Sequence, residues 1–288
     1  MPEGDTLQRT AAALREILEG RELVAARGRR PDAGVERLTG RRVAAVHSVG
    51  KHLLIDVAGG LTLHTHLGLH GSWHRYRHGE RWRRPASRAA VVLETAAALA
   101  VCFDPATVEL VETRALPLHP RLASLGPDLL DPAADPQAIQ RRLREVSRGG
   151  MPVGEALLDQ RLMAGLGNVY RSEVCFIERV DPATPVKALD DVTLGRLVRT
   201  AMALLRANTA GGARVTTPDA SGAPPGAALR ARGGGRLWVY GRTGRPCRRC
   251  GTLVRSRVAG TTPRRAYWCP TCQPPPAQPT TAQRPPAS

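Results

Sequence analysis

Two cysteine pairs, Cys247-x-x-Cys250 and Cys269-x-x-Cys272, stand near the end of the chain with eighteen residues between them. Each pair fits a tight turn, and two such turns bring four thiolates to one tetrahedral Zn(II). With every ligand drawn from the chain, the ion has no open position, so its task is structural rather than catalytic. Two redox-active pairs are the alternative, but neither follows a strand and opens a helix as a thioredoxin-like motif does. Between the pairs, residues 252–258 and 266–268 read as strands of a hairpin about a turn at 259–263. That turn sets Arg264 near a metal-stapled tip, within reach of a phosphate or a groove.

The charge balance names the partner class. The 288 residues carry a formal net charge of +17. So many unpaired cations repel one another unless a polyanion sits beside them, and nucleic acid is the first candidate. No acidic residue follows Asp219, whereas twelve arginines do. An arginine-rich composition alone would not remove the acids. No cationic start leads into an apolar run, and no stretch of about eighteen apolar residues occurs, so a cytoplasmic, nucleoid-associated location without membrane contact is expected. Six cysteines in a reducing compartment do not suggest disulfides, and Cys102 and Cys175, in apolar runs, read as inert core residues.

Leu7, Ala11, Leu14 and Leu18 recur at helical spacing behind Asp5 or Thr6 as cap, so a helix begins almost at the first residue. From Val43 to Val111 short apolar or alternating runs separated by Gly, Pro and charged residues predict antiparallel strands of a sandwich or barrel. Past a boundary near 120–127, helices are predicted over 136–148, 152–159, 168–178 and 190–207. Residues 208–235, rich in Gly, Ala, Pro and Thr, read as a mobile loop, and 274–288, with six prolines, as a disordered tail.

Two further segments carry chemistry. In Met1-Pro2-Glu3-Gly4-Asp5-Thr6, removal of Met1 leaves the secondary amine of Pro2 as the α-amino group. Its reference pKa of about 8 keeps a useful fraction unprotonated near neutrality. Such an amine attacks a sugar carbon as lysine amines do, and Glu3 beside it is placed to shuttle protons. The bland reading is a helix cap. In Gly165-Leu166-Gly167-Asn168-Val169-Tyr170-Arg171-Ser172-Glu173 the glycines permit a tight turn. Asn168 is expected to cap the next helix, whose free N–H groups would bind a phosphate; a plain connection between helices is the alternative. Seven histidines crowd residues 47–78, and His64 and His66 share a strand face. No carboxylate is spaced with them, so DNA contact or core hydrogen bonding is expected there rather than a second metal.

Taken in order, MPEGDT, SVGKHLLID, THLGLHGSW, LGPDLL, EALLDQRLMAGLGNVYRSEVCF, LWVYGRTGRPCRRCG and RRAYWCPTCQ resemble the formamidopyrimidine-DNA glycosylase and endonuclease VIII family from Pro2 to Gln273. The MPEGDT opening is most similar to the actinobacterial endonuclease VIII branch; the sister, purine-lesion branch usually opens MPELPE.

The resemblance implies an α+β multidomain fold. Its parts are an N-terminal β-sandwich with flanking helices (1–125), a helix-two-turns-helix domain with the loop (126–235), a β-hairpin zinc finger (236–273) and the tail (274–288). It implies a bifunctional DNA glycosylase and AP lyase that removes oxidised bases, pyrimidines first, and cuts the strand by β,δ-elimination. By this likeness Pro2 is the Schiff-base nucleophile, Glu3 the acid/base and Lys51 a phosphate-holding lysine. Asn168 and Arg264 clamp phosphates, Leu69 wedges into the gap left by the extruded base with His70 beside it, and Glu173 and Tyr240 lie near the site or the DNA backbone. Zinc is the one cofactor implied, with damaged DNA as partner, no nucleotide cofactor, and a monomer. Gly68 departs from a branch with glutamine beside the wedge, and 208–235 matches nothing in the family pattern, which leaves base choice open. A non-catalytic DNA-binding protein is the rival reading, against which the intact Pro2, Glu3 and Lys51 speak.

Overall fold

The computed structural model describes residues 2–29, 33–146, 150–218, 237–259 and 263–275. Helix α1 (Gly4–Leu18) buries the predicted stripe Leu7, Ala11, Leu14 and Leu18. It lies against an antiparallel sheet of β2 (Val43–Val49), β3 (His52–Val57), β4 (Leu61–His66) and β8 (Thr107–Glu112), in that order. A second antiparallel sheet runs β1 (Ala25–Gly28), β6 (Ala89–Glu94), β7 (Leu99–Phe103), β5 (Ser72–Tyr76).

Alternation places Leu53, Ile55 and Leu63 of the first sheet in one core with Val91, Leu93, Ala100 and Cys102 of the second. The unbroken apolar run of β7 has a separate cause. Its other face, Leu99, Val101 and Phe103, is covered by Tyr76 and Trp82, so the strand is buried on both sides.

After β8 the chain crosses by a 3-10 segment (Thr113–Leu118) and the short α2 (Pro120–Ala123) into a helical half: α3 (Pro136–Val146), α4 (Val153–Ala156), α5 (Asn168–Ile177) and α6 (Asp191–Ala207). Its core, from Leu129 to Leu205, shares no residue with that of the sandwich. Asp190 caps α6 by accepting the Thr193 N–H at 2.6 Å, and Leu194, Leu197, Val198, Ala201 and Leu205 form its inward stripe. The helix expected over 152–159 shrinks to the four residues of α4. The turns that follow it make room for the glycine segment 165–167.

The hairpin forms from β9 (Arg255–Ala259) and β10 (Arg264–Trp268), with Arg264 opposite Ala259. Arg264 is the first residue of the second strand, directly after the 259–263 turn of the expected hairpin. Val254, Cys247 and Cys269 pack with Val239 on Phe176 of α5, which fastens the hairpin to the helical half. Of the expected mobile loop 208–235, residues 208–218 have defined partners and 219–235 lie outside the described residues, as does the tail beyond Pro275. Among the described residues no helix is long and apolar enough to cross a membrane.

Candidate active site

Glu3 organises the site. It is the residue before α1 in an extended conformation (φ −129°, ψ −179°) and is fully buried. Its carboxylate accepts the N–H groups of Gly167 at 2.9 Å, Val169 at 2.8 Å and Tyr170 at 3.4 Å, all at the amino end of α5. Four amides are left without intrahelical partners at such an end, and the helix dipole favours an anion there.

The expectation that Asn168 caps α5 and leaves its amides open to a phosphate is thereby corrected. Gly167 precedes the helix, Asn168 is its first residue, and the amides are taken by Glu3. The glycines serve approach as much as turning. A Cβ on Gly167 would overlap the Glu3 side chain, and Gly4 N–H donates to Gly165 O at 2.8 Å across the same contact.

Lys51 follows Gly50, whose left-handed φ of +57° turns β2 into β3 and whose N–H donates to Asp128 Oδ2 at 2.7 Å. This contact holds the hairpin tip of the sandwich against the helical half. Burial pushes the Lys51 ammonium down to about 8; Glu3 opposes that shift, while the cations Arg264 and Arg214 add to it. Arg264 thus faces Lys51. Its neighbour Arg265 is exposed and donates to Ser256 Oγ at 3.0 Å, which assigns the inward role to Arg264.

Pro2, Thr6, Leu69, His70, Gly71, Arg9, Arg84, Arg88 and Arg214 line a cleft of about 570 Å³. Leu69, a large apolar side chain 48% exposed, projects from a tight turn in which Gly71 N–H donates to Leu67 O at 2.9 Å. The turn is braced from outside: Arg84 donates to His70 O at 3.2 Å, and Arg84 and Arg88 both pair with Asp104, at 3.0 and 2.6 Å.

Asn168 is buried, with its Nδ2 donating to Arg265 O at 3.1 Å and its Oδ1 accepting from the Arg171 guanidinium. It ties α5 to β10. Tyr240 is half-buried, its ring 4.9 Å from that of Tyr267. Glu173 does not reach the cleft, which corrects its assignment to DNA contact. It is fully buried, and its carboxylate accepts N–H groups from Trp238 at 2.7 Å, Val239 at 2.9 Å and Tyr240 at 2.8 Å and the Thr216 hydroxyl. Burial pushes its pKa up, and these four donors hold it down. The residue anchors the segment that leads into the cysteine hairpin.

The histidines have a carboxylate after all, supplied by a neighbouring strand rather than by sequence spacing. Glu109 of β8 pairs with His64 of β4, accepting from His64 Nδ1 at 3.1 Å and His119 Nε2 at 2.9 Å, while His52 Nδ1 lies 2.8 Å from His64 Nε2. Burial, with the neighbouring histidines, pushes His52 down to about 3, and burial also lowers His64, so these two imidazoles are held neutral in a hydrogen-bonded row that ties the crossing segment to the sandwich.

The four cysteine sulfurs lie within 4.8 Å of one another, with Cys247–Cys272 at 4.0 Å and Cys250–Cys269 at 3.5 Å. A tetrahedral ion with metal–sulfur bonds of about 2.3 Å needs sulfur–sulfur edges of about 3.8 Å. The four thiols therefore fit a metal ion.

Residues 1–114 match the formamidopyrimidine-DNA glycosylase N-terminal domain, and residues 125–219 match the formamidopyrimidine-DNA glycosylase H2TH domain. The chain belongs to the formamidopyrimidine-DNA glycosylase family. Within that family it is 43% identical over 280 residues to a probable endonuclease 8 2 of Streptomyces coelicolor, covering 96% of this chain and 95% of the relative. It is 42% identical over 273 residues to the DNA-(apurinic or apyrimidinic site) lyase Nei2 of Mycolicibacterium smegmatis, covering 95% and 99%. The crystal structure of the MutM (Fpg) protein of Thermus thermophilus matches with a TM-score of 0.76 at 30% identity, covering 95% of this chain and 99% of that one.

Sequence reasoning about this family member missed several residues of the site's frame: Asp128 under the Lys51 turn, Asp104 behind the Leu69 turn, and the partner of Asp5. Asp5 showed only as a helix cap, and its partner Arg214 sat in a Gly-Ala-Thr run that carries no periodic signal.

Proposed function

We propose that this chain is a bifunctional DNA glycosylase and AP lyase of base excision repair, with Pro2 as nucleophile. The observation that carries the reading is the seating of the Glu3 carboxylate on the amino end of α5. That seating fixes the preceding residue, Pro2, at the wall of a cleft ringed by Arg9, Arg84, Arg88 and Arg214 and fronted by exposed Leu69. The arginine charges make this wall attractive to a phosphate backbone, and an apolar wedge beside them recovers part of the few kcal/mol that extruding a base costs.

In this scheme the Pro2 nitrogen, freed by loss of Met1, attacks C1′ of the flipped nucleotide. The C1′–N-glycosidic bond breaks, and the proton that the Pro2 nitrogen gives up on attack leaves with the departing base. Opening of the sugar ring puts a proton on O4′, for which Glu3 is the donor at hand, and leaves an iminium between Pro2 and C1′. Loss of a C2′ proton then expels the 3′-phosphate, a second elimination expels the 5′-phosphate, and water releases Pro2. Lys51 and Arg264, close enough to each other and to Glu3 for their charges to interact, are proposed to hold the phosphates that leave, with Asn168 and Tyr240 joining β10 to α5. His70 lies beside the wedge.

Cys247, Cys250, Cys269 and Cys272 would hold one zinc ion, which supplies rigidity to the hairpin and takes no part in bond breaking. Oxidised pyrimidines are the proposed lesion class, damaged DNA the partner of a monomer, and the cytoplasm, at the nucleoid, the place of action.

Borohydride should trap a covalent adduct between the enzyme and an abasic oligonucleotide, linked through Pro2, and untrapped reactions should leave phosphate at both ends of a one-nucleotide gap. A protein that shifts the oligonucleotide without nicking it, or trapping that survives replacement of Pro2, would count against the reading. A panel of single-lesion oligonucleotides, nicked in single-stranded and duplex form, tests the preference for pyrimidines.

A further inference from the structure

Asp5, in the first turn of α1, is fully buried and belongs to neither the cleft nor the sandwich core. Its carboxylate takes a two-pronged ion pair from Arg214, 209 positions away: Nε to Oδ2 at 2.8 Å and Nη2 to Oδ1 at 2.7 Å. The same Nη2 donates to Thr6 Oγ1 at 2.7 Å, and the guanidinium lies 5.3 Å from the centroid of the Tyr170 ring. Burial works against the Arg214 charge, but its bonds to Asp5 outweigh that and keep it protonated.

The segment that carries Arg214 is fastened along its length. Arg9 of α1 donates to Gly212 O, the Asn208 amide holds both Val215 N–H and Val215 O, at 2.9 and 3.0 Å, and Thr216 donates to Glu173. Pro2 and Arg214 line the same cleft.

The first turn of a helix lacks half of its backbone hydrogen bonds and frays, and a nucleophile just before such a turn would sweep through a range of positions. Two anchors oppose this. Glu3 is pinned to α5, and Asp5 with Thr6 is pinned to Arg214, whose planar fork fixes direction as well as distance.

We propose, resting on the reading of Pro2 as nucleophile, that Arg214 is a positioning residue of the reaction: it locks the first turn of α1 so that the Pro2 nitrogen points at the sugar. Because Arg214 comes from the segment after α6, attack then depends on the docking of that segment. The N-terminal nucleophile is competent only while residues 208–218 of the helical half lie against α1.

The test uses the full-length, zinc-loaded protein and four variants: Arg214→Met, Arg214→Lys, Asp5→Asn, and Asp5→Asn with Arg214→Met. Two quantities are measured for each, the rate constant for borohydride trapping on a saturating abasic duplex and the Kd for a duplex bearing an uncleavable tetrahydrofuran abasic analogue. Misplacing a reacting atom by about 1 Å can cost a hundredfold. Arg214→Met is therefore expected to slow trapping at saturation by about tenfold or more while Kd stays within about threefold. Arg214→Lys, with the charge but not the fork, recovers only part of the rate.

The double variant removes both charges of the buried Asp5–Arg214 pair and leaves only Arg9, at the cleft wall, without its Asp5 carboxylate, so it avoids the unpaired buried carboxylate that Arg214→Met creates. Its trapping should be no slower than that of Arg214→Met, because the two residues act as one unit. An unchanged rate constant in the folded double variant overturns the proposal. So does a loss confined to Kd, or a fall in trapped amplitude at an unchanged rate constant, which marks Arg214 as a fold stabiliser only. Absence of trapping in the unsubstituted protein instead sinks the reading of Pro2 on which this rests.

Discussion

A single methyl group on Gly167 would occupy the space of the Glu3 side chain, so residue 167 can be nothing but glycine while Glu3 keeps its seat on α5. The contact joins the second residue after Met1 to the middle of the chain, and the amide donors there compensate a fully buried carboxylate. Gly167→Ala is expected to push Glu3 out or to strain α5, at a cost of about 1–3 kcal/mol as in other overpacked cores. It should lower abasic-site cleavage by about a hundredfold through displacement of Pro2 and Glu3. Thermal melting and single-turnover nicking check the two effects separately; a variant with wild-type nicking would remove Glu3 from the centre of the site.

Leu69 is exposed and touches no core, so Leu69→Ala should change stability by no more than about 0.5 kcal/mol. Its expected effect is on extrusion. Excision from a lesion-bearing duplex should slow by about tenfold or more, and excision from the same lesion in a single strand much less, because only the duplex leaves a gap to fill. Equal loss on both substrates would show that Leu69 is not a wedge.

Lys51 gives the pH dependence its sign. Burial holds its ammonium at about 8 in the folded protein, against an ordinary value of 10.5. Between those two values the unfolded chain binds a proton that the folded chain has released. Stability contributed by this residue therefore rises with pH across that window, and below about 8 the buried charge is a cost. Phosphate binding works the other way, because it requires the charged form. Affinity for an uncleavable abasic duplex should fall as pH rises through 8, by up to about tenfold per unit. Lys51→Arg, which stays charged, should flatten that fall. Binding titrations over the range settle it, and a wild-type curve as flat as that of Lys51→Arg would exclude Lys51 from phosphate contact.

Chelation of the metal should release the cysteine hairpin without melting the rest. The hairpin's cluster with Phe176 and Val239 is separate from the two main cores, and the four thiols draw both of its ends to one point. Once Arg264 is no longer held opposite Ala259, DNA affinity should fall by tenfold or more while the far-ultraviolet circular dichroism of the helices persists. Analysis of metal content should find one zinc per chain. Full DNA affinity after chelation would make the hairpin dispensable.

Much of this arrangement was legible in advance, and for identifiable reasons. Helices α1, α5 and α6 announce themselves because an amphipathic stripe needs only the spacing of its own residues. The cysteine quartet is equally local in its logic, since each pair fits one turn. What stayed hidden depends on elements far apart in sequence. Asn168 had the composition of a helix cap, but the cap comes from Glu3, 164 positions before Gly167. Glu173 looked like a residue of the cleft and became a buried anchor because residues 238–240 fold back over it. His64 lacked a carboxylate in its own segment and found Glu109 across a strand pair.

From the chain alone came the elements, the two unlike halves, the thiol quartet, the cationic surface and the order of motifs that marks the family. Each of these is written in spacing or composition along a line. Only the folded molecule decided which polar groups meet: Glu3 with the amides of α5, Asp5 with Arg214, Glu173 with the approach to the hairpin. A buried charge must find its partner wherever the packing of apolar faces brings one, and no local pattern encodes that address.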